Sequence, residues 1–215
     1  MIPELYLSRL VVDLRSRRVQ QDLANPYELH RTVMAAFGDG CRGNGERVLY
    51  RLDHVRGAPV AMVLVQSVTE PDWAFLAAPA ARGYLAEGWG ENPAVKRFAP
   101  RFAEGQVLAF RLRANPTVRR GGKRLGLYRE EEQLAWLRRK GEEAGFVPIA
   151  VRATQEDALR GSLEREGAVH RLKLVSVRFE GYLRVVDAAR LAGATARGIG
   201  AGKGFGFGLL SLARA

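Results

Sequence analysis

The sequence predicts an α+β protein made of two successive β-α-β-β-α-β passes. Three observations carry that expectation. Apolar, β-branched runs of strand length recur through both halves of the 215-residue chain. In each half a segment with helical start signals or periodicity follows an early strand, beginning near Asn25 and near Glu130. Glycine and proline clusters punctuate the runs between them. Hydrophobic residues make up 47% of the chain, enough to bury a core and to exclude wholesale disorder.

In order, Leu5 to Val12 reads as a strand. Asn25-Pro26-Tyr27-Glu28 opens a helix, with Asn as N-cap, Pro at the first helical position and Glu three residues after the cap. Leu29, Val33, Ala36 and Phe37 form its buried face, and Gly38 and Gly40 stop it. Strands at 47–55 and 59–68 follow, joined by Arg56-Gly57-Ala58. The Pro/Ala/Gly-rich stretch 71–100 is poorly defined, with a helix expected near Trp73–Ala78 or Ala80–Ala86, and the strand 106–113 closes the first pass. In the second half, 124–128 reads as a short strand and 130–144 as a helix with Leu134, Leu137 and Ala144 inward. Strands at 146–153 and 170–186, a helix at 187–196 capped by Asp187, and a strand at 204–212 complete it. Two such passes read as tandem ferredoxin-like domains, 1–115 and 116–215, an architecture shared with RNA-recognition modules.

Composition narrows the function classes. The longest uncharged apolar run, 58–65, is far short of the roughly 20 residues that span a bilayer. Glu4 and Arg9 interrupt any signal-like start, and the single Cys41 allows no internal disulfide or cysteine zinc cluster, so a soluble, cytoplasmic protein is expected. The net charge of +11 points to a polyanion, nucleic acid or an anionic membrane surface. A membrane-surface helix would need a basic polar face, and 130–144 carries Glu130, Glu131, Glu132, Glu142 and Glu143. Nucleic acid is the stronger reading.

The basic residues cluster. RLRANPTVRRGGKR contains Arg111, Arg113, Arg119, Arg120, Lys123 and Arg124 with no acid, and Asn115-Pro116 and Gly121-Gly122 mark it as a strand end entering a loop that contacts phosphates. A second unusual segment lies near the C-terminus, where seven of the sixteen residues from Gly193 to Gly208 are glycine. It is not a P-loop, because Arg197 stands five before Gly202 and Lys203 is followed by glycine, and too few residues follow for a dinucleotide fold. What remains is a loop whose backbone N–H groups and Lys203 approach phosphates closely.

Four segments taken together, NPYELHR (25–31), TEPDW (69–73), FRLRANPTVRRGGKR (110–124) and GIGAGKGFGFGLLSL (198–212), resemble the CasE family. These are CRISPR-associated endoribonucleases of the type I-E Cascade complex. The resemblance implies a repeat hairpin of precursor CRISPR RNA as substrate, cut at the 3′ base of its stem, a product that stays bound, and other Cascade subunits as partners.

The chemistry can be read beside that resemblance. Of His30, His54 and His170, none pairs at HxxxH or HxH spacing, so neither a metal site nor a cofactor is expected. His54 and His170 read as structural or surface residues. Tyr27, His30 and Arg31 fall at i, i+3 and i+4 on one face of the helix that Asn25 caps, near its positive end. A proton-transfer group, a phenol and a fixed cation around one phosphate are what 2′-hydroxyl attack on RNA requires. The resemblance implies that Tyr27 and His30 are the catalytic pair, with Arg31 a phosphate ligand; whether His30 acts as base or acid stays open. Arg138 and Arg139 on the second helix, and Arg160 with Arg165 in a projecting hairpin, are candidates to reach into duplex RNA, although Glu164 and Glu166 share that hairpin. The same features would also serve a ribonucleoprotein subunit that holds a hairpin without cutting it.

Overall fold

Residues 4–38, 47–165 and 168–215 are described by the structure, a computed structural model, with backbone alone for 163–165 and 168–170. Gly40, Cys41 and Glu166 therefore lie outside the described residues, as do the side chains of Glu164, Arg165 and His170.

The first half contains β1 (Leu5–Asp13), α1 (Arg17–Ala24), α2 (Pro26–Met34), β2 (Leu49–His54), β3 (Val60–Ser67) and β4 (Ala94–Phe98). Its sheet runs β2-β3-β1-β4, and every neighbouring pair is antiparallel. The second half contains β5 (Val107–Ala114), β6 (Thr117–Arg120), β7 (Lys123–Gly126), α3 (Glu130–Ala144), β8 (Phe146–Arg165), β9 (Ala168–Val185), α4 (Ala188–Arg197) and β10 (Leu210–Arg214). Its sheet runs β10-β5-β9-β8, again antiparallel throughout, with the β6–β7 hairpin standing apart. Each sheet has the strand order of a split β-α-β unit. The chain is two tandem ferredoxin-like units, as the sequence predicted.

Several elements differ from expectation for local reasons. The strand expected to close the first unit, 106–113, is β5, and it pairs with β9 and β10 in the second sheet. Its alternation places Leu108, Phe110 and Leu112 in the second core beside Phe146 and Phe179. Alternation announces a buried face but not which sheet buries it. The first sheet is closed instead by β4, inside the stretch that had no clear pattern, because its side chains are mostly exposed. No full helix forms between Trp73 and Ala86; two single 3-10 turns, Ala74–Leu76 and Pro79–Ala81, take its place, as Pro71, Pro79 and Gly83 predispose. Helix α1 is polar apart from Val19 and Leu23 and gave no apolar period to read. The last strand begins at Leu210, with a 3-10 turn at Lys203–Phe205 before it.

Helix α2 forms as its capping residues dictate. The Asn25 side chain accepts from the Tyr27 backbone N–H at 3.2 Å, and Pro26 occupies the first turn. Leu29, Val33, Ala36 and Phe37 pack into the first core with Val63, Val65 and Trp73. Helix α3 buries Trp136, Leu137 and Ala144 and runs unbroken through Gly141, whereas Leu134 is only half-buried. The basic stretch expected as a loop is a hairpin, turned by Gly121 and Gly122 at φ +56° and +75°, the mirror-image turn that suits two-residue connections. Among the described residues, no helix is long and apolar enough to cross a membrane.

Candidate active site

Three elements meet around the first turns of α2: the helix itself, β2 through Tyr50, and the glycine-rich segment after α4. Tyr27 and His30 are half-buried and both lie against Phe205. The Phe205 ring meets Tyr27 edge-on at 5.0 Å between centroids and stands 6.3 Å from the His30 imidazole. The Tyr50 ring stacks on His30 at 6.5 Å and 23°. A methyl added at Gly204 would lie 3.6 Å from His30 Cε1, so backbone and imidazole are in direct apposition there. Arg31 is exposed and pairs with Glu28 at 3.0 Å, leaving it on the solvent side of the same helix.

Tyr50 joins the helix to the loop. Its buried hydroxyl donates to the Gly204 carbonyl at 3.0 Å, and burial pushes that phenol well above its ordinary range. The loop is seated at two further points: Gly208 N–H donates to the Arg113 carbonyl at 2.8 Å, and Asn115 forms a backbone bridge with Ala201. Phe205 and Tyr50 were not legible as site residues. Phe205 sits in the GKGFGFG run, whose glycines signal backbone contacts rather than a ring, and Tyr50 is one aromatic among many in a buried strand.

Beside this centre lies a cleft of about 620 Å³, floored by Gly198–Gly204 and lined by Arg119, Arg124, Arg139 and Lys203. Arg47, Lys140 and Arg197 join them, and Glu143, paired with Lys140, is the acid among its described lining residues. The Lys203 ammonium is held below its ordinary pKa, first by partial burial and then by the charges of Arg47, Arg197 and Lys140. A site that crowds like charges without acids to match is built for an anion.

The other sequence candidates distribute differently. Arg120 and Lys123 are exposed at the β6–β7 turn, Arg138 is exposed on α3, and Arg160 is exposed near the end of β8. Arg111, Arg113 and Asn115 are not brought to the cleft. Arg111 pairs with Glu180 at 2.6 Å and reaches Asp53 at 3.8 Å. Arg113 donates to Glu156 at 2.8 Å and Ser176 at 2.9 Å while its guanidinium covers the Phe207 ring. Asn115 is buried. The contribution of Arg113 and Asn115 is to hold the glycine-rich loop from beneath. His54 is exposed at the edge of a separate cleft.

Comparison with known proteins agrees with this geometry. Residues 5–214 match the family described as CRISPR associated protein. The CRISPR-associated endoribonuclease Cse3 of Thermus thermophilus is 40% identical over 219 residues, covering 97% of this chain and 100% of that one. The chain belongs to the CasE (Cse3) family. Within it, a solved structure of the endoribonuclease Cse3 bound to 19 nt RNA has a TM-score of 0.86 at 40% identity, covering 98% of this chain and 99% of that chain. The Cascade subunit CasE of Escherichia coli (strain K12) is 35% identical over 122 residues, 51% of this chain and 59% of its own. Parts of three of the four segments that resemble the CasE family meet at the site: 25–31 is the start of α2, 110–124 supplies the basic hairpin, and 198–212 supplies the glycine floor and Phe205.

Proposed function

We propose that this chain is an endoribonuclease that cleaves the repeat hairpin of precursor CRISPR RNA and keeps the product as a Cascade subunit in the cytoplasm. The observation that carries the reading is the placement of Tyr27 and His30 against Phe205 and Gly204, the last of which also lines a cleft rich in cations. The cleft holds the phosphate backbone and the pair works on one linkage.

The reaction needs no group beyond these side chains. The 2′-oxygen forms a bond to the adjacent phosphorus as its proton departs, and the P–O5′ bond breaks as O5′ takes up a proton. The products are a 2′,3′-cyclic phosphate and a 5′-hydroxyl. Imidazole is the side chain that titrates near neutrality, so His30 carries a proton transfer, as base at O2′ or acid at O5′. Tyr27 orients the reacting oxygens, Arg31 with Lys203 neutralises the crowded phosphorane, and no metal takes part.

The test is cleavage of the host's own repeat hairpin in excess EDTA, beside a copy carrying one 2′-deoxy at the scissile nucleotide. The native RNA is cut once at the stem base. The deoxy copy, and native RNA with His30→Ala, are bound but uncut. A protein that binds the hairpin and leaves it whole under all conditions would be a binding subunit, and the catalytic reading would fall.

A further inference from the structure

The tip region of the β8–β9 hairpin reaches the N-terminus of α2. Asn25 Nδ2 donates to the Ser162 carbonyl at 3.1 Å, across 137 positions of sequence. The same side chain uses its Oδ1 to accept from Tyr27 N–H, so one amide caps the helix and fastens the hairpin. Gly161 packs against Pro26 so closely that a methyl there would lie 2.8 Å from Pro26 Cγ and 3.1 Å from Asn25 Oδ1. On the hairpin, Arg160 pairs across the ladder with Lys173 and Ser162 with Arg171, and all three basic residues are exposed. A basic, solvent-facing arm is thus tied, through the Asn25–Ser162 hydrogen bond and the Gly161–Pro26 contact, to the residue that begins the Tyr27–His30 helix.

The choice of asparagine is informative. Aspartate and serine cap helices about as well. An ionised aspartate has no donor for a carbonyl, and serine has one oxygen for both tasks, whereas the amide accepts the cap through Oδ1 and donates to Ser162 through a separate atom, Nδ2. We propose that Asn25 is a positioning residue, which locks the hairpin to α2 and sets the register between RNA gripped by Arg160, Arg171 and Lys173 and the Tyr27–His30 pair. The proposal rests on the cleavage reading above. A misplacement of about 1 Å between substrate and catalytic groups costs on the order of 100-fold in rate, so one hydrogen bond at this junction has leverage on chemistry that it lacks on binding.

Asn25→Asp tests it, because the carboxylate keeps the cap and faces the Ser162 carbonyl with oxygen against oxygen. The measurements are the single-turnover rate on saturating repeat hairpin, the Kd of the 2′-deoxy copy, and the melting temperature. Expected are a rate lowered about 10- to 100-fold, a Kd within about twofold of wild type, and an unchanged melting temperature. Gly161→Ala keeps the Asn25 amide and pushes the hairpin away through a methyl set against Pro26 Cγ and Asn25 Oδ1; it gives the same split, and the double variant is no slower than the slower single one. A wild-type rate in both variants overturns the proposal. So does a rate loss that comes with an equal loss of affinity or of thermal stability, which marks a cap or a scaffold only. If wild-type protein cuts nothing, the cleavage reading has failed instead, and the two failures are told apart by that lane.

Discussion

Two clefts in this protein are lined by arginine, and they do opposite things with it. The cleft beside α2 gathers Arg119, Arg124, Arg139 and Lys203 over a glycine floor, with Glu143 the acid among its described lining. The cleft on the second sheet's open face holds Arg111, Arg113 and Arg178, each in an ion pair with Asp53, Glu156 or Glu180, beside Arg56 and Asp157. The first has charge to offer a ligand. The second spends its charge internally: Asp53 also binds the buried Arg51, whose guanidinium reaches Ser211, so β2 of one unit is joined to β5 and β10 of the other. A guanidinium is a binding group or a structural strut according to what already faces it.

Breaking that comparison is a matter of exchanging charges. The largest effect is expected from neutralising two phosphate contacts at once. Lys203→Gln with Arg124→Gln weakens hairpin binding on the order of 100-fold, about tenfold for each charge-assisted bond, and lowers the salt slope of log Kd by about 2. Filter binding across a salt series reads both quantities, and an unchanged slope would show that the cleft does not hold phosphate. Tyr50→Phe removes the hydroxyl that fixes the Gly204 carbonyl beside His30, and the single-turnover rate falls about tenfold with affinity retained. Circular dichroism and stopped-time cleavage on the same preparation distinguish this from unfolding.

The second cleft answers in stability. Arg113→Ala removes the guanidinium that bonds Glu156 and Ser176, leaving Glu156 to the Ser176 hydroxyl and Arg178, and lowers the melting temperature by about 3–8 °C, for a loss of about 1–3 kcal/mol. Arg111→Gln, more exposed, changes hairpin affinity less than about twofold and leaves the salt slope where it was. A fall in slope for Arg111→Gln would move RNA to the sheet face and undo the division drawn here.

The smallest effect is a pH dependence. Lys203 loses its proton below the ordinary lysine range, because burial and three neighbouring cations favour the neutral amine. Bound phosphate favours the ammonium, so binding takes up a proton at alkaline pH and affinity falls as pH rises toward that lowered value. Titrating Kd from neutral into alkaline pH on 2′-deoxy RNA is expected to show a progressive loss of affinity, which Lys203→Arg abolishes since guanidinium stays charged there.

The helix that carries Tyr27 and His30 was legible because its signals are local: an N-cap, a proline at the first position, and an apolar period that ends in glycine. The basic hairpin was legible as a charge run and, at 124–128, as a short strand that overlaps β7; β6 was missed, since Thr117–Arg120 carries no apolar alternation. Strand β5 was found and given to the wrong unit. Its sequence states that one face is buried, and the partner strands that bury it lie more than sixty residues further on.

The sequence by itself determined the fold class, the polyanion-binding character and the positions of Tyr27, His30 and Lys203, because strand and helix periods, caps and net charge depend on neighbours within a few residues. The tertiary structure alone decided that Phe205 and Tyr50 enclose the imidazole, that Arg111 and Arg113 are struts while Arg119 and Arg124 face a cleft, and that Ser162 meets Asn25. Each of these is a meeting of side chains far apart in the chain, and a residue type carries no record of what will stand opposite it.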